Sequence, residues 1–441
     1  MYKRIVFLVF LLPTILFSQH TIKGTFSNAK DYKYVLLYKI MPLSTSYITD
    51  AKIKEDGSFI LNLDASVTAG MYKIVYAIPK EEYNFDIIYN AKEDIEFTFD
   101  SETGITYQES IENKLLTGYT SSMSMISQSI ANFFRQQSTD TTALYSIFKT
   151  QRETQESFEE AAKETIALEF IKANKPYIPV HFDDVATYIK NLEKHFFDYV
   201  DFNNVTLQSS DFLVQRMYNY VLGIGKDNHD ISASYKQNID VFCSAMADAP
   251  LAIKSSLLIQ LWQSMADSDF ESVANYISDT YLIDIAKTLK DQDLIDSLIQ
   301  FKNTSKQSKA PDFYLDKNKS EKKLSDLSGA EYYILVFWSS TCSHCLKEVP
   351  ELESFVRTQK EGELKVLAIG LEDDDKIWTN KIKEFPDFIH VLGLGKWDNE
   401  IGNMYDIKAT PTYFILDKNK RIVAKPTDIE ALENFFKELN G

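Results

Sequence analysis

The sequence predicts an all-β sandwich, then an all-α region, then an α/β domain at the C-terminus. Three observations support this order. Residues 20 to about 100 alternate apolar and polar side chains between turn signals, residues 108–302 repeat apolar positions at helical spacing, and residues 309–441 alternate strand and helix patterns. Because 441 residues exceed what one hydrophobic core usually organises, several domains are expected.

Composition and charge narrow the function classes. The chain is 44% hydrophobic and 25% charged, which is typical of a folded globular protein. Its formal net charge is −17. Nucleic acids and anionic membranes attract clustered Lys and Arg, so this acidic chain is not expected to bind either of them strongly.

Residues 1–18 have the pattern of a signal peptide. Lys3 and Arg4 form a positive start, and the stretch Ile5–Phe17 is apolar except for Pro13 and Thr14. A membrane span needs about 20 apolar residues, so this stretch is short for an anchor. We therefore expect a cleaved signal peptide and export to the periplasm or cell envelope, without strong membrane association afterwards. A retained N-terminal anchor is the alternative.

Residues 19–104 are predicted to form the β-sandwich domain. Short strands with a turn about every 8–12 residues are typical of a small antiparallel sandwich. Strand patterns occur at His20–Phe26, Tyr34–Tyr38, Ser58–Leu63, Met71–Tyr76, Asn84–Tyr89 and Ile95–Phe99. No catalytic constellation is visible in this region, so a binding module and a spacer both remain open.

Residues 105–302 are predicted to form a helical domain. Thr141–Ala173 has the apolar spacing of one long helix, which Pro176 ends. Cys243 lies in a helical pattern and is expected to be buried. The polar segment 303–308 lacks apolar periodicity and is predicted to be a linker. Further helices are predicted at 184–200, 208–222, 234–247, 251–267, 269–283 and 288–302.

Residues 309–441 are predicted to form an α/β domain with a mixed central sheet. Strand patterns occur at Tyr332–Trp338, Leu364–Gly370, Thr412–Asp417 and Arg421–Ala424. Helix patterns occur at Leu346–Thr358, Asp375–Glu384, Asn399–Tyr405 and Asp428–Leu439.

The most informative pattern is Cys342-Ser343-His344-Cys345, between a strand pattern and a helix pattern. A cysteine at a helix N-terminus meets unpaired N–H groups and the positive end of the helix dipole, which favour a thiolate. A thiolate is the species that attacks disulfides. A disulfide between these cysteines closes too small a loop to stabilise the fold much, so reactivity explains the pair better. A zinc site is the alternative, but outside the motif the domain offers only one further histidine, His390, and no second cysteine pair.

Four segments resemble the TlpA/ResA-type branch of the thioredoxin family, in the family's order. They are Lys309–Phe313, Leu324–Leu327, Val336–Pro350 and Ala409–Asp417. The resemblance covers nearly all of residues 309–441 and implies a thioredoxin fold and a thiol–disulfide oxidoreductase. The preceding region resembles, more weakly, the N-terminal extensions of exported Bacteroidetes-type members of that branch.

The resemblance also implies roles for individual residues. Cys342 is the nucleophile that forms a mixed disulfide, and Cys345 is the more buried resolving thiol. Pro411 matches the family's cis-proline, and the backbone of Thr410 pairs with a substrate strand. The redox-active disulfide Cys342–Cys345 then acts without a cofactor or metal. The implied partners are protein thiols and disulfides of the envelope, together with an electron donor or acceptor that the chain does not encode.

Two further residues are expected to tune the site. Glu348 lies one helical turn after Cys345 and matches the acid that assists proton movement in the family. His344 is expected to stabilise the Cys342 thiolate and so to raise the redox potential. The alternatives are an exposed Glu favoured by the helix dipole and a solvated His that only separates the cysteines.

The sequence departs from the family pattern at two positions. Val336 stands where thioredoxin has a buried Asp, which leaves Glu348 as the nearest candidate for handling protons. Thr341 stands where the family usually has Trp, so aromatic shielding of the site, and part of its effect on the potential, is expected from Trp338.

Two other functions and one other acidic site are weighed against this prediction. The thioredoxin fold could serve only as a docking surface in a binding or assembly module. A peroxidase is disfavoured, because the residues before Cys342 do not reproduce the peroxiredoxin pattern. The acidic run Glu372-Asp373-Asp374-Asp375 is expected to be a solvated loop at a helix N-terminus rather than a metal site.

Overall fold

The computed structural model of this chain describes residues 20–27, 29–225, 230–316 and 320–440. Contacts divide the chain into two compact units, one ending at Leu257 and one beginning at Leu258. The predicted signal peptide at 1–18 lies outside the described residues. No helix in the described ranges combines the length and the apolar character that a membrane span needs.

The first unit begins with the predicted β-sandwich. Two four-stranded sheets have the strand orders β4-β1-β7-β8 and β3-β2-β5-β6. Inward-facing side chains such as Ile22, Leu37 and Phe97 form its core. The strands are β1 (His20–Phe26), β2 (Tyr34–Met41), β3 (Ser44–Lys52), β4 (Ser58–Leu63), β5 (Gly70–Val75), β6 (Asn84–Tyr89), β7 (Ile95–Asp100) and β8 (Gly104–Glu109).

Two of these strands do not follow from the sequence pattern. Most of β3 and half of β8 are exposed, so their sequences lack the apolar alternation that identifies a half-buried strand. The pairing of β1 with β7 is parallel, although the pattern suggested an antiparallel sandwich. No hairpin connects β1 and β7, so no local turn fixes their relative direction.

The first unit continues with seven helices in its described part. Ser110 begins the first of them, since its hydroxyl accepts a hydrogen bond from the Asn113 N–H. The helices are α1 (Ile111–Arg135), α2 (Thr141–Ala161), α3 (Ala167–Ala173), α4 (Val185–Lys194), α5 (Val205–Gln208), α6 (Phe212–Gly223) and α7 (Ile231–Ala245). Cys243 on α7 is half-buried rather than buried.

The predicted helix Thr141–Ala173 is wrong as a single element, because α2 ends at Ala161 and α3 begins at Ala167. Glu164, between them, has a left-handed backbone with φ of 64°. The carboxylate of Glu112 accepts a hydrogen bond from the Ala167 N–H at 2.9 Å and so satisfies the start of α3. This contact joins residues far apart in sequence, which a periodicity cannot reveal.

Helix α8 (Leu251–Asp267) crosses the boundary between the units, and α9 (Glu271–Ile277), α10 (Ile283–Leu289) and α11 (Gln292–Thr304) follow in the second unit. The segment 303–308, predicted as a linker, packs against these helices. Ser305 is fully buried, and the Lys306 N–H donates to the carboxylate of Glu271 at 2.5 Å. The predicted domain boundaries themselves stay predictions.

The second unit ends with the predicted α/β thioredoxin-like domain. Its five-stranded sheet has the order β13-β12-β11-β14-β15, and β9 and β10 form a separate antiparallel pair. Strand β11 is parallel to β12 and antiparallel to β14, so the sheet is mixed as predicted. The strands are β9 (Tyr314–Asp316), β10 (Ser320–Lys323), β11 (Tyr332–Trp338), β12 (Leu364–Glu372), β13 (Ile389–Leu394), β14 (Thr412–Asp417) and β15 (Ile422–Ala424), and the helices are α12 (Ser343–Arg357), α13 (Trp378–Lys381), α14 (Glu400–Met404) and α15 (Ile429–Asn440).

The central strand β11 organises this domain. Leu335 and Phe337 face one hydrophobic core, whereas Ile334, Val336 and Trp338 face a second core on the other side of the sheet. A strand buried on both faces is therefore continuously apolar. Its carboxyl end leads directly into the cysteine pair.

Two details near this sheet differ from the sequence pattern. The predicted helix Asp375–Glu384 is only α13 and a short 3-10 turn. The edge strand β13 is absent from the prediction, because His390 and Gly393 interrupt its apolar pattern.

Candidate active site

Cys342 occupies the N-cap of α12, at the end of the loop that follows β11. Its sulfur accepts a hydrogen bond from the Cys345 N–H at 3.4 Å, and its own N–H donates to Ser339 O at 3.1 Å. Both cysteines are thiols in this structure. The first sulfur therefore lies where unpaired helix N–H groups favour negative charge.

The two thiols differ in burial and in acidity. Burial opposes ionisation of Cys342, but hydrogen bonds from the Cys345 thiol and N–H, the Thr410 side chain and the His344 N–H outweigh it and lower the pKa of Cys342. Cys345 is fully buried. Burial, followed by the hydrogen bond with Cys342, raises the pKa of Cys345 to about 12. One accessible, more acidic thiol thus lies beside one buried, weakly acidic thiol.

The segment before β14 lies against the first cysteine. The Cys342 thiol donates to the Thr410 carbonyl oxygen at 3.3 Å. The peptide bond between Thr410 and Pro411 is cis. Both residues are partly exposed, so the structure brings Cys342, Thr410 and Pro411 together at an accessible surface.

Glu348 is held at two points on the inner side of α12. Its carboxylate accepts a hydrogen bond from the Tyr413 hydroxyl at 3.1 Å and another from the Ile429 N–H at 3.2 Å. It is partly buried. Glu348 is therefore not simply an exposed residue in the first turn of a helix.

Tyr413 is a site residue that the sequence pattern did not single out. It is buried and pairs in register with Val336, the position where thioredoxin has its buried Asp. Burial, then the charge and hydrogen bond of Glu348, and then Cys345 raise the pKa of Tyr413. The phenol thus lies within electrostatic reach of both the carboxylate and the resolving thiol. The sequence signal that could have identified Tyr413 as a site residue is its position two residues after Pro411.

The two residues expected to tune the potential lie in different surroundings. His344 is exposed, and its contribution to the lowered pKa of Cys342 comes from its backbone N–H. Trp338 is fully buried in the core that contains Cys345, with its ring edge-on to Phe385. With none of its surface exposed, Trp338 belongs to this core and not to the surface at which Cys342 is accessible. Their effects on the potential stay predictions.

The expectation of a solvated acidic loop holds only for three of its four residues. Asp373, Asp374 and Asp375 are exposed, but Glu372 ends β12 and is 3% exposed. Its carboxylate accepts a hydrogen bond from the Ser340 N–H at 2.5 Å. Glu372 is therefore part of the structure that supports the cysteine loop.

The described residues contain no group of three or more His, Cys, Asp and Glu side chains that could hold a metal ion. His390, weighed as a zinc ligand, lies on β13, and a ring nitrogen makes a hydrogen bond with Phe385 O at 2.8 Å. Burial lowers the pKa of His390.

Comparison with known proteins agrees with this geometry. The AhpC/TSA family model matches residues 307–425. Thiol-disulfide oxidoreductase ResA of Bacillus cereus is 28% identical over 117 residues, which cover 26% of this chain and 66% of ResA. ResA of Geobacillus kaustophilus is also 28% identical, over 136 residues that cover 30% of this chain and 76% of that protein.

Solved structures of bacterial proteins are also similar to this chain. A domain of a possible thiol-disulfide isomerase from Cytophaga hutchinsonii is 32% identical, with a TM-score of 0.27, and the match covers 31% of this chain and 92% of that domain. A thioredoxin-like protein from Bacteroides caccae is 20% identical, with a TM-score of 0.31, and the match covers 60% of this chain and 97% of that protein. The family match and the ResA relatives show that the C-terminal domain of this chain is thioredoxin-like and similar to thiol–disulfide oxidoreductases.

Proposed function

We propose that this protein exchanges disulfides with protein partners through Cys342 and Cys345. The observation that supports the proposal is the asymmetry of the two thiols: a lowered pKa on the accessible Cys342 and a pKa of about 12 on the buried Cys345. The first property suits a nucleophile, because only the thiolate attacks. The second suits a resolving thiol that stays protonated until it is needed.

In the reductive direction, the Cys342 thiolate attacks one sulfur of a partner disulfide. A bond forms between Cys342 and that sulfur, the partner's S–S bond breaks, and the second partner sulfur leaves as a thiolate. Cys345 then loses its proton and attacks Cys342, which releases the partner as a dithiol. Two electrons have moved from the protein to its partner, and the reverse sequence oxidises a partner dithiol.

We propose that Glu348 receives the proton of Cys345. A carboxylate held in place on the same helix is a suitable base, and the Tyr413 hydroxyl, which already donates to it, provides a path for the proton. This pair would do the work for which thioredoxin uses a buried Asp.

The partner would bind as an extended segment along the surface beside Pro411. The backbone of Thr410 would pair with it, as strands add to a sheet edge. Because Thr410 O lies 3.3 Å from the Cys342 sulfur, a paired segment would present its disulfide to the nucleophile.

The proposed cellular location of the protein is based on residues 1–18, whose charged start and short apolar stretch are typical of a signal peptide. We propose that the protein acts in the periplasm or cell envelope, where protein disulfides are common. Regeneration of the active dithiol or disulfide requires a second redox partner of the thiol class.

Trapping in the native host tests this proposal. Cys345→Ala retains the nucleophile and removes the resolving thiol, so it should accumulate mixed disulfides with envelope proteins that dithiothreitol releases. The control is Cys342→Ser with Cys345→Ala, which should trap nothing. If wild-type protein does not catalyse insulin reduction, and Cys342→Ser binds the same partners equally well, the domain is a docking module and the proposal fails.

A further inference from the structure

Glu372 is a buried acid within the five-stranded sheet of the α/β domain. It ends β12, which pairs with β11 on one side and β13 on the other. Its backbone oxygen accepts a hydrogen bond from Gly395 N–H at 3.1 Å. Lys396, the nearest cation along that loop, is paired with Asp373 at 3.3 Å. Burial of a carboxylate is costly unless hydrogen bonds satisfy it. The hydrogen-bond partners of Glu372 therefore indicate what this buried acid does.

Those contacts are with the loop that carries the nucleophile. One carboxylate oxygen accepts the Ser340 N–H at 2.5 Å, and the other accepts the Ser339 hydroxyl at 3.3 Å. The Ser339 hydroxyl also lies 3.1 Å from the Thr341 hydroxyl. Ser339 O in turn accepts the Cys342 N–H at 3.1 Å. A continuous set of hydrogen bonds therefore joins the end of β12 to the backbone of Cys342.

We propose that Glu372 is a positioning residue that fixes the Ser339–Cys342 turn and thereby holds the Cys342 sulfur against the N–H groups that stabilise its thiolate. The inference deepens the proposed exchange activity and rests on it for its consequence. Glu372 contacts neither sulfur, so it acts only through the turn. Both Ser339 and Ser340 are buried, so water cannot easily replace the carboxylate as a hydrogen-bond acceptor.

The alternative explanation is that Glu372 matters only for its charge or for packing. Glu372→Gln separates these explanations, since an amide oxygen can still accept the Ser340 N–H and the amide NH2 can donate to the Ser339 oxygen. Glu372→Ala loses both hydrogen bonds. Asp375→Ala is the matched control, because it removes an exposed acid from the same run.

The readout is the pH profile of alkylation of Cys342 by iodoacetamide in the reduced full-length protein. Glu372→Ala should raise the apparent pKa of Cys342 by at least about half a unit. That change lowers the thiolate fraction at pH 7 by up to about threefold and, because the more basic thiolate is the better nucleophile, slows alkylation by up to about twofold. Glu372→Gln and Asp375→Ala should remain at the wild-type value. An unchanged profile in Glu372→Ala, or a profile of Glu372→Gln no closer to wild type than that of Glu372→Ala, would overturn the proposal.

If Glu372→Ala does not fold by circular dichroism, Ser339→Ala replaces it. That variant removes one hydrogen bond to the carboxylate and should raise the pKa of Cys342, while Glu372→Gln leaves it unchanged; two unchanged profiles would overturn the proposal. Alkylation needs no protein substrate. A wild-type protein without exchange activity would thus refute the proposed function, while these profiles would still decide the role of Glu372.

Discussion

The difference between the two thiols predicts a strong selectivity in chemical labelling. The pKa of Cys342 lies below its usual value of 9.0, and that of Cys345 lies near 12. At pH 7 the thiolate fractions therefore differ at least about 1000-fold. The more basic thiolate is the better nucleophile, with a Brønsted slope of about 0.5. Over three pKa units, this makes the Cys345 thiolate about 30-fold more reactive than the Cys342 thiolate and offsets part of the difference in ionisation. Ionisation alone leaves Cys342 at least about 30-fold faster, and the full burial of Cys345 adds to this.

The assay uses limiting iodoacetamide on the reduced protein at pH 7, followed by unfolding, labelling of the remaining thiols with N-ethylmaleimide and peptide mass spectrometry. Cys342 should carry the first label. As pH rises, the rate of Cys342 should reach half of its maximum below pH 9, whereas the rate of Cys345 should still increase above pH 10. Labelling of Cys345 as fast as Cys342, or a half-maximal rate of Cys342 at or above pH 9, would refute this prediction.

Two further predictions concern proton transfer and packing. Tyr413→Phe removes the hydroxyl that donates to Glu348, so attack of Cys345 on the mixed disulfide should slow about 3–10-fold and mixed disulfide should accumulate in stopped reactions. The control is Tyr405→Phe, which loses a buried hydroxyl bonded to a backbone oxygen elsewhere in the domain and should release the partner at the wild-type rate. Equal effects of the two variants would contradict the role of Tyr413. Gly370→Ala should destabilise the protein by about 1–3 kcal/mol in urea unfolding, because its Cβ would lie 2.3 Å from a buried indole nitrogen, whereas Gly223→Ala, with no atom within 4 Å, should be neutral or slightly stabilising. Equal stability of the two glycine variants would contradict this account of the packing.

Much of the fold follows from local patterns in the sequence. The continuous apolar run of β11 identifies a strand buried on both faces, and the change from period two to helical spacing near residue 108 marks the end of the sandwich. Elements without such a pattern are missed. Strand β3 is largely exposed, and β13 is interrupted by His390 and Gly393, so neither carries the alternation that identifies a strand.

The sequence predicts the reacting residues of the site but not the contacts that support them. The positions of Cys342, Cys345 and Pro411 came from motifs, and the structure brings Pro411 and the cysteine loop together through the contact of Cys342 with the preceding residue. The contacts of Tyr413 and Glu372 could not be predicted, because each joins residues that are distant in sequence. Tyr413 lies 65 residues from Glu348, and the carboxylate of Glu372 lies 32 residues from its donor.

The position of Glu372 in the sheet does offer a signal that it supports the site. It is the last residue of a buried strand, at the carboxyl edge of a sheet where the functional loop begins, and this position distinguishes it from the three acids that follow. Periodicity alone does not make that distinction. Topology does, because it shows that the ends of β11 and β12 are neighbours.

A redox titration of the purified protein tests whether Cys342 and Cys345 form a reversible disulfide. The chain would be equilibrated in dithiothreitol or glutathione buffers of graded potential, quenched with acid, and the fraction containing a Cys342–Cys345 disulfide measured by mass spectrometry. We expect a single two-electron transition, with about 30 mV for each tenfold change in the ratio of oxidised to reduced protein, that disappears in Cys342→Ser. A protein in which these two sulfurs never join, or join only irreversibly, would contradict it.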